Sequence, residues 1–201
     1  MTRDMLMAKF AMTDLGNVSR ILGIEINRDR KEGTIELTQK KYTISLLERF
    51  NMSDCNPVRT PGTGKELASQ PEGSTLLDEI ATKEYPAIVG RLIFLTQYTR
   101  FGITFSTMQA ARHMSKPTSI HMASVKRILR HVQGAPSMPL VYKRAGSFNL
   151  FGYCDASYGQ GGPDKMRSVS GCLFFIAGGL VHFSSQLQKI SAQSSSEAKG
   201  G

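Results

Sequence analysis

Between Tyr85 and Cys154 the chain has nine lysines and arginines and no aspartate or glutamate. Elsewhere the charges nearly cancel: 12 basic against 13 acidic residues from Met1 to Glu84, and four against three from Asp155 onward. The formal net charge of +9 therefore belongs to the middle of the 201-residue chain. Lysines and arginines that merely solvate a helix usually come with glutamate partners, and here those partners are missing. A surface that concentrates one sign of charge attracts polyanions and releases their counterions on binding, so nucleic acid is the first partner to consider. The cations expected to carry such binding are Arg112, Lys116, Lys126, Arg127, Arg130, Lys143 and Arg144. On this reading, Arg127 and Arg130 changed to Glu abolish binding.

Other scarcities narrow the class. The three cysteines, Cys55, Cys154 and Cys172, are far apart and include no C-x-x-C pair. This argues against a zinc site or a disulfide framework and for buried free thiols in an intracellular, reducing compartment, nuclear or cytoplasmic. No apolar run approaches the roughly 18 residues that span a bilayer, and the N-terminus carries charges where a signal peptide needs an apolar core. No membrane partner is expected. Hydrophobic residues make up 40% of the chain, enough for a real core in one or two domains.

The periodicity changes along the chain. Met5, Phe10 and Met12 suggest the end of a helix. From Ile21 to Gln39, Leu22, Ile24 and Ile26 alternate with polar neighbours, as do Ile35 and Leu37, with a polar stretch ending in Gly33 between them. That pattern predicts a β-hairpin with one buried face. Tyr42, Leu46, Leu47 and Phe50 then recur at helical spacing from about Lys40 to Asn51. From Pro57 to about Thr82 prolines and glycines interrupt any regular element, which reads as a linker or long loop. Helices are predicted over Tyr85 to Tyr98, over Ile103 to His113, and from Thr118 or Ser119 to Gly134. The last carries the apolar stripe Val125, Ile128, Leu129 and Val132, with Lys126, Arg127, Arg130 and His131 mostly on other faces. Beyond Leu140 the period is two, and strands are predicted over Phe148 to Ala156, Ser168 to Ile176 and Leu180 to Ser185. Helices first and a sheet second make an α+β chain, with a boundary near Gly134 to Leu140.

Two carboxylates stand out in the last third. Asp155 lies in or at the end of a predicted strand, in FGYCDASYG, and Glu197 follows three serines, in QSSSEAKG. Each has a plain structural explanation. An aspartate near a strand end commonly forms a turn, and Ser194-x-x-Glu197 is a helix capping box that needs no metal.

The segment MTDLGNVSRILGIEINRDRKEGTIELTQKKYTISLLERFNMSDCNPVRTP, from Met12 to Pro61, resembles the part of copia-type retrotransposon reverse transcriptases that follows the polymerase active site. HMSKPTSIHMASVKRILRHVQG resembles the helical segment after it, and GYCDASYGQGGPDKMRSVSGCLFFIAGGLVHFSSQLQKISAQSSSEAKG the opening of the ribonuclease H domain of the same Pol polyproteins. The resemblance covers nearly the whole chain in order.

It implies a hairpin and a helical thumb- and connection-like region, then a truncated ribonuclease H-like sheet of three antiparallel strands and the start of one helix. The implied division is residues 1–60 as the reverse transcriptase end with its primer-gripping hairpin and thumb helix, 61–83 as linker, 84–139 as a basic connection-like region, and 140–201 as partial ribonuclease H. It also implies that Asp155 and Glu197 match the first two metal-binding carboxylates of the nuclease, which works with two Mg²⁺ ions held by acidic oxygens.

The sequence departs from the family pattern where chemistry is concerned. The polymerase needs a Tyr-x-Asp-Asp turn, and no Asp-Asp pair occurs here. The nuclease needs a third and usually a fourth carboxylate, but only four residues follow Glu197, and Asp164 lies beside Pro163 in a polar loop. Thr99-Arg100-Phe101-Gly102-Ile103 replaces the usual Thr-Arg-Pro-Asp-Ile, Tyr158 and Phe183 stand where the family has tryptophan, and Ala198-Lys199-Gly200 replaces Ala-Glu-aromatic. Expected from this is a catalytically incomplete fragment that holds at most weak Mg²⁺ and binds an RNA–DNA hybrid or primer–template. The alternatives are a retained non-catalytic nucleic-acid-binding or interaction protein, and a hybrid nuclease completed by a partner chain.

The strand from Phe148 to Ala156 would lack the neighbour that covers it in a complete nuclease, and so be open to self-association. A peptide of residues 140–201 should therefore unfold in urea without a normal cooperative slope; a steep single transition would contradict this.

Overall fold

The computed structural model describes residues 3–13, 16–63, 67–68, 72–144, 148–157 and 167–191. Helix α1 (Arg3–Lys9) precedes a meander of β1 (Arg20–Ile21), β2 (Ile24–Asp29) and β3 (Thr34–Thr38). Then come α2 (Lys40–Arg49), α3 (Glu79–Tyr98), a 3₁₀ turn (Phe101–Ile103), α4 (Thr104–Ala111) and α5 (Ser119–Gln133). Strands β4 (Leu140–Lys143), β5 (Phe151–Ser157), β6 (Arg167–Ile176) and β7 (Gly179–Ser191) complete the described elements. The class is α+β, with two antiparallel sheets ordered β1-β2-β3-β4 and β5-β6-β7.

The hairpin forms where alternation predicts it, with Ile26 opposite Leu37 and Arg28 opposite Ile35. Leu22, however, is not on the buried face: it is 73% exposed and has φ +49°, followed by Gly23 at +78°. Two successive positive φ values are what a tight type I′ turn requires, so the chain reverses there and β1 becomes a separate two-residue strand. Gly23 lies against the Phe94 ring, which places this turn over α3. At the other end of the hairpin the Glu25 carboxylate accepts from the backbone N–H groups of Lys40 and Lys41, both at 3.1 Å. A carboxylate on unpaired N–H groups at a helix N-terminus is doubly favourable, through hydrogen bonding and the helix dipole.

Helix α3 starts well before the apolar stretch that predicts it. Asp78 caps it by accepting from Ala81 N–H at 2.7 Å, and Lys83 pairs with Glu79 at 2.6 Å on the exposed first turns. Those turns face solvent, with Ile80 80% exposed, so they leave no hydrophobic period in the sequence.

The core is helical. Leu46 and Leu47 of α2, Tyr85, Ile88, Val89, Leu92 and Leu95 of α3, and Val125, Ile128, Leu129 and Val132 of α5 form one buried cluster. The stripe read on α5 is therefore its inner face. Tyr85 is fully buried and its hydroxyl donates to Ala110 O at 2.8 Å, tying α3 to α4; burial pushes its ionisation well above the usual phenol range. A buried polar junction closes the bundle. Thr99 Oγ1 donates to Gln39 Oε1 at 2.7 Å, and Arg100, 7% exposed, donates to Ala135 O.

Strand β4 joins the first sheet, with Tyr142 opposite Ile35 and Leu140 opposite Leu37. It also meets the second sheet: Tyr142 Oη donates to Leu180 O at 2.6 Å, and Lys143 N–H to Ala177 O at 2.9 Å. The Tyr142 ring lies so close over Gly179 that a Cβ there would fall 2.4 Å from it. In the second sheet Asp155 stands opposite Gly171 and Cys154 opposite Cys172, and the strands agree with those the period of two predicts, β7 running longer.

His113 and His121 stack face to face, ring centres 4.1 Å apart, and their Nε2–H groups donate to successive carbonyls, Leu67 O at 3.1 Å and Ala68 O at 2.8 Å. His121 Nδ1 accepts from Thr118 N–H at 3.0 Å. Burial, then the neighbouring His121 and Arg112 charges, hold His113 below the ordinary histidine value, against a smaller opposing effect from Leu67 O. The unfolded chain therefore takes up a proton at His113 first, so this stabilising contribution is complete above pH about 6.5 and falls away below it.

Two outcomes follow for urea unfolding. The midpoint should drop between pH 7.5 and 5.5, and His113→Phe should flatten that dependence; an equal pH dependence in the variant would contradict it. Leu92→Ala, which empties a fully buried position, should cost about 2–5 kcal/mol.

Candidate nucleic-acid interface

The predicted cations divide into three groups. Arg112, at the end of α4, and Lys116, in the connection to α5, are exposed, as is Lys126 midway along α5. Lys143 and Arg144, at the end of β4, are exposed as well. Arg127 and Arg130 are half-buried and already engaged. Arg127 donates to Thr60 Oγ1 at 2.9 Å, and Arg130 Nε to Asn56 O at 2.7 Å. On the same helix His131 Nδ1 lies 3.2 Å from Val58 O and Gln133 donates to Ser53 O at 3.2 Å.

The described start of the Pro- and Gly-rich segment thus runs back along α5 as a strap. Its far end is pinned too, by Ser119 N–H on Thr75 O at 2.8 Å and by the stacked histidines on residues 67 and 68. Pro57 lies so near Gly134 that a Cβ there would approach to 3.2 Å. Composition removes helix and strand from this stretch; side-chain donors of α5 supply what regular hydrogen bonding would.

Residues that the sequence reading did not single out complete one site. Arg28, near the end of β2, and Arg30, from the β2–β3 turn, line a cavity of about 300 Å³ together with Lys143, Arg144 and Phe148. Opposite-strand register on β3 brings them together, since β2 and β4 flank it. The signal in the sequence was the charge of the turn, but the pairing of residues more than a hundred positions apart was not visible.

Asp155 is exposed on β5 and lines a separate cavity of about 580 Å³ between the second sheet and the start of α4. Its walls are aromatic (Phe101, Phe105, Tyr153, Phe183), with the thiols of Cys154 and Cys172 and the hydroxyls of Thr104, Ser184 and Ser185. Contact with Cys172 raises the Cys154 thiol above its ordinary value. Glu197 lies outside the described residues, as do Asp164 and Tyr158. Among the described residues no group of three histidine, cysteine or acidic side chains converges. Among the described lining residues one carboxylate accompanies rings, thiols and hydroxyls, a donor set that by itself does not suit a hard cation such as Mg²⁺, which takes oxygen ligands. Among the described residues no helix is long and apolar enough to cross a membrane.

Residues 2–63 match the family model described as reverse transcriptase (RNA-dependent DNA polymerase). Over 193 residues the chain is 35% identical to the retrovirus-related Pol polyprotein from transposon TNT 1-94 of Nicotiana tabacum, covering 94% of this chain and 14% of that protein. Over 198 residues it is 32% identical to the Pol polyprotein from transposon RE1 of Arabidopsis thaliana, covering 98% and 13%. It is also 30% identical over 200 residues to the Arabidopsis protein named uncharacterized mitochondrial protein AtMg00810, covering 96% and 78%. No solved structure gives a significant match. The chain belongs to the Pol polyprotein family of copia-type retrotransposons, and it spans about one-seventh of the length of the transposon polyproteins it matches.

The strap bears on how charge changes are interpreted. Arg130→Ala should lower stability by about 1 kcal/mol, the scale of a partly exposed hydrogen bond, and expose residues 53–60 to limited proteolysis. Lys126→Ala, on the same helix, should do neither. Equal protease resistance in both variants would remove the strap's dependence on Arg130.

Proposed function

We propose that this chain is a nucleic-acid-binding part of a copia-type Pol polyprotein, catalytically incomplete by itself, that holds an RNA–DNA hybrid through the exposed cations of its acid-free middle. In this reading residues 1–60 are the end of the reverse transcriptase, 61–83 a linker whose last five residues open α3, 84–139 a connection-like helical region, and 140–201, with β5 to β7, the opening of a ribonuclease H unit. Lys116, Lys126, Lys143 and Arg144, with Arg112, meet phosphates. Arg127 and Arg130 act through the strap.

The observation that carries this reading is the stretch from Tyr85 to Cys154 with nine cations and no carboxylate. Where guanidiniums there find partners among the described residues, several are neutral oxygens, as at Ala135, Asn56 and Thr60, so their charge is not cancelled. Membership of a family matched as reverse transcriptase supports nucleic acid as the polyanion. Catalytic incompleteness is supported by the lining described around Asp155, which is otherwise rings, thiols and hydroxyls, whereas two Mg²⁺ ions about 4 Å apart need several acidic oxygens.

A second reading is favoured by one feature. Strand β5 is at the edge of its sheet, with Tyr153 67% and Phe151 45% exposed, and an edge of that kind pairs readily with another chain. In this reading a strand from a second molecule lies along β5, and self-association follows.

A labelled RNA–DNA hybrid separates these possibilities. The expected result is binding whose logarithm falls linearly with the logarithm of salt, without cleavage in Mg²⁺. Cleavage lost on changing Asp155 to Asn would overturn the proposal. Sedimentation across a range of protein concentrations reads the β5 edge: a dimer abolished by Tyr153→Lys supports it, and a monomer throughout excludes it.

A further inference from the structure

We propose that the groove between the β2–β3 turn and the end of β4 is a docking site for a single-stranded nucleic-acid segment, holding its phosphodiester backbone between two pairs of cations and a base against Phe148. This rests on the reading of the chain as nucleic-acid-binding and names a place for it apart from the helices. Four cations line the cavity, Arg28 and Arg30 from one side and Lys143 and Arg144 from the other, against the single carboxylate of Asp29. Asp29 is already committed: its Oδ1 accepts from the N–H groups of Lys31 at 2.8 Å and Glu32 at 3.0 Å, which closes the turn. Arg30 reaches Asn17 Oδ1 at 3.4 Å, a neutral partner that leaves its charge intact.

Backbone geometry, not attraction between side chains, forces these like charges together. Arg144 N–H donates to Gly33 O at 2.7 Å, and Lys143 N–H to Ala177 O at 2.9 Å. Gly33 has φ +67°, and a Cβ there would fall 2.9 Å from Cβ of Arg144. A side chain at position 33 would therefore hold the turn and β4 apart. Four like charges gathered around one cavity repel one another until an anion enters, and a phosphodiester strand brings successive anions at the spacing of its backbone.

The rim supplies the rest. Phe148 is 71% exposed beside the cations, and aromatic rings interleaved with basic residues are how single strands are held, base on ring and phosphate on cation. A duplex hides its base faces, so the exposed ring selects an unpaired segment.

The test uses the full chain and a short fluorescein-labelled single-stranded oligonucleotide of mixed sequence, titrated by anisotropy at several KCl concentrations. Arg28→Ala with Lys143→Ala should weaken binding about tenfold or more and reduce the slope of log affinity against log salt by roughly 1.4. Phe148→Ala should weaken binding severalfold with the slope unchanged. Lys83→Ala, on the exposed first turns of α3 and outside the lining of the groove, serves as the comparison and should leave affinity and slope unchanged. If the wild type binds and both groove variants match it in affinity and slope, the groove is not the site, while nucleic-acid binding stands. If the wild type binds no nucleic acid, both fall together. If inorganic phosphate alone displaces the oligonucleotide at matched ionic strength, the groove is a simple anion site and strand docking is overturned. Phe148 is exposed, so its variant keeps the test decisive should the double variant misfold.

Discussion

The apolar stripe of α5 is the surface against which the rest of the chain is assembled. Val125, Ile128, Leu129 and Val132 pack on α2 and α3, and the opposite flank of the same helix holds the strap through Arg127, Arg130, His131 and Gln133. One helix thus serves two partners of opposite chemistry, apolar side chains within and backbone carbonyls without. Because the strap returns along α5, its described residues (53–63, 67–68 and 72–77) and the helical core form one folded unit, although their composition divides them.

That arrangement explains what sequence reading could and could not reach. The interior of α5, the hairpin from Ile24 to Thr38 and the long strands β6 and β7 were legible because burial on one face imposes a period on the residues themselves. The start of α3 was not, because its first turns are solvated and held by Asp78 and Glu79. Strands β1 and β4 are too short to display a period, and β4 is a strand only because β3, distant in the chain, offers it an edge. Leu22 misleads for a related reason: it continues the alternation by residue type while its backbone turns the chain around.

The candidate site was half legible. Lys143 and Arg144 stand out by charge alone, but Arg28 and Arg30 lie in a region where acids and bases balance, and only the sheet register joins them to the other pair. The roles of Arg127 and Arg130 were hidden more completely. Their acceptors are a threonine hydroxyl, at Thr60, and a backbone carbonyl, at Asn56, neither of them charged, so no charge pattern in the sequence announces them. The same choice of acceptor leaves the middle of the chain electropositive: a guanidinium bonded to a carbonyl is satisfied sterically and still carries its full charge.

Gly179 shows how far from the cations their arrangement is decided. With Tyr142 lying on its backbone, this position admits no side chain, and the seam between the two sheets closes over it. Tyr142 precedes the two basic residues that end β4, so their placement depends on an uncharged residue in a different sheet. A methyl group added there would be felt as lost electrostatic focus at a distance, without any ion having been touched.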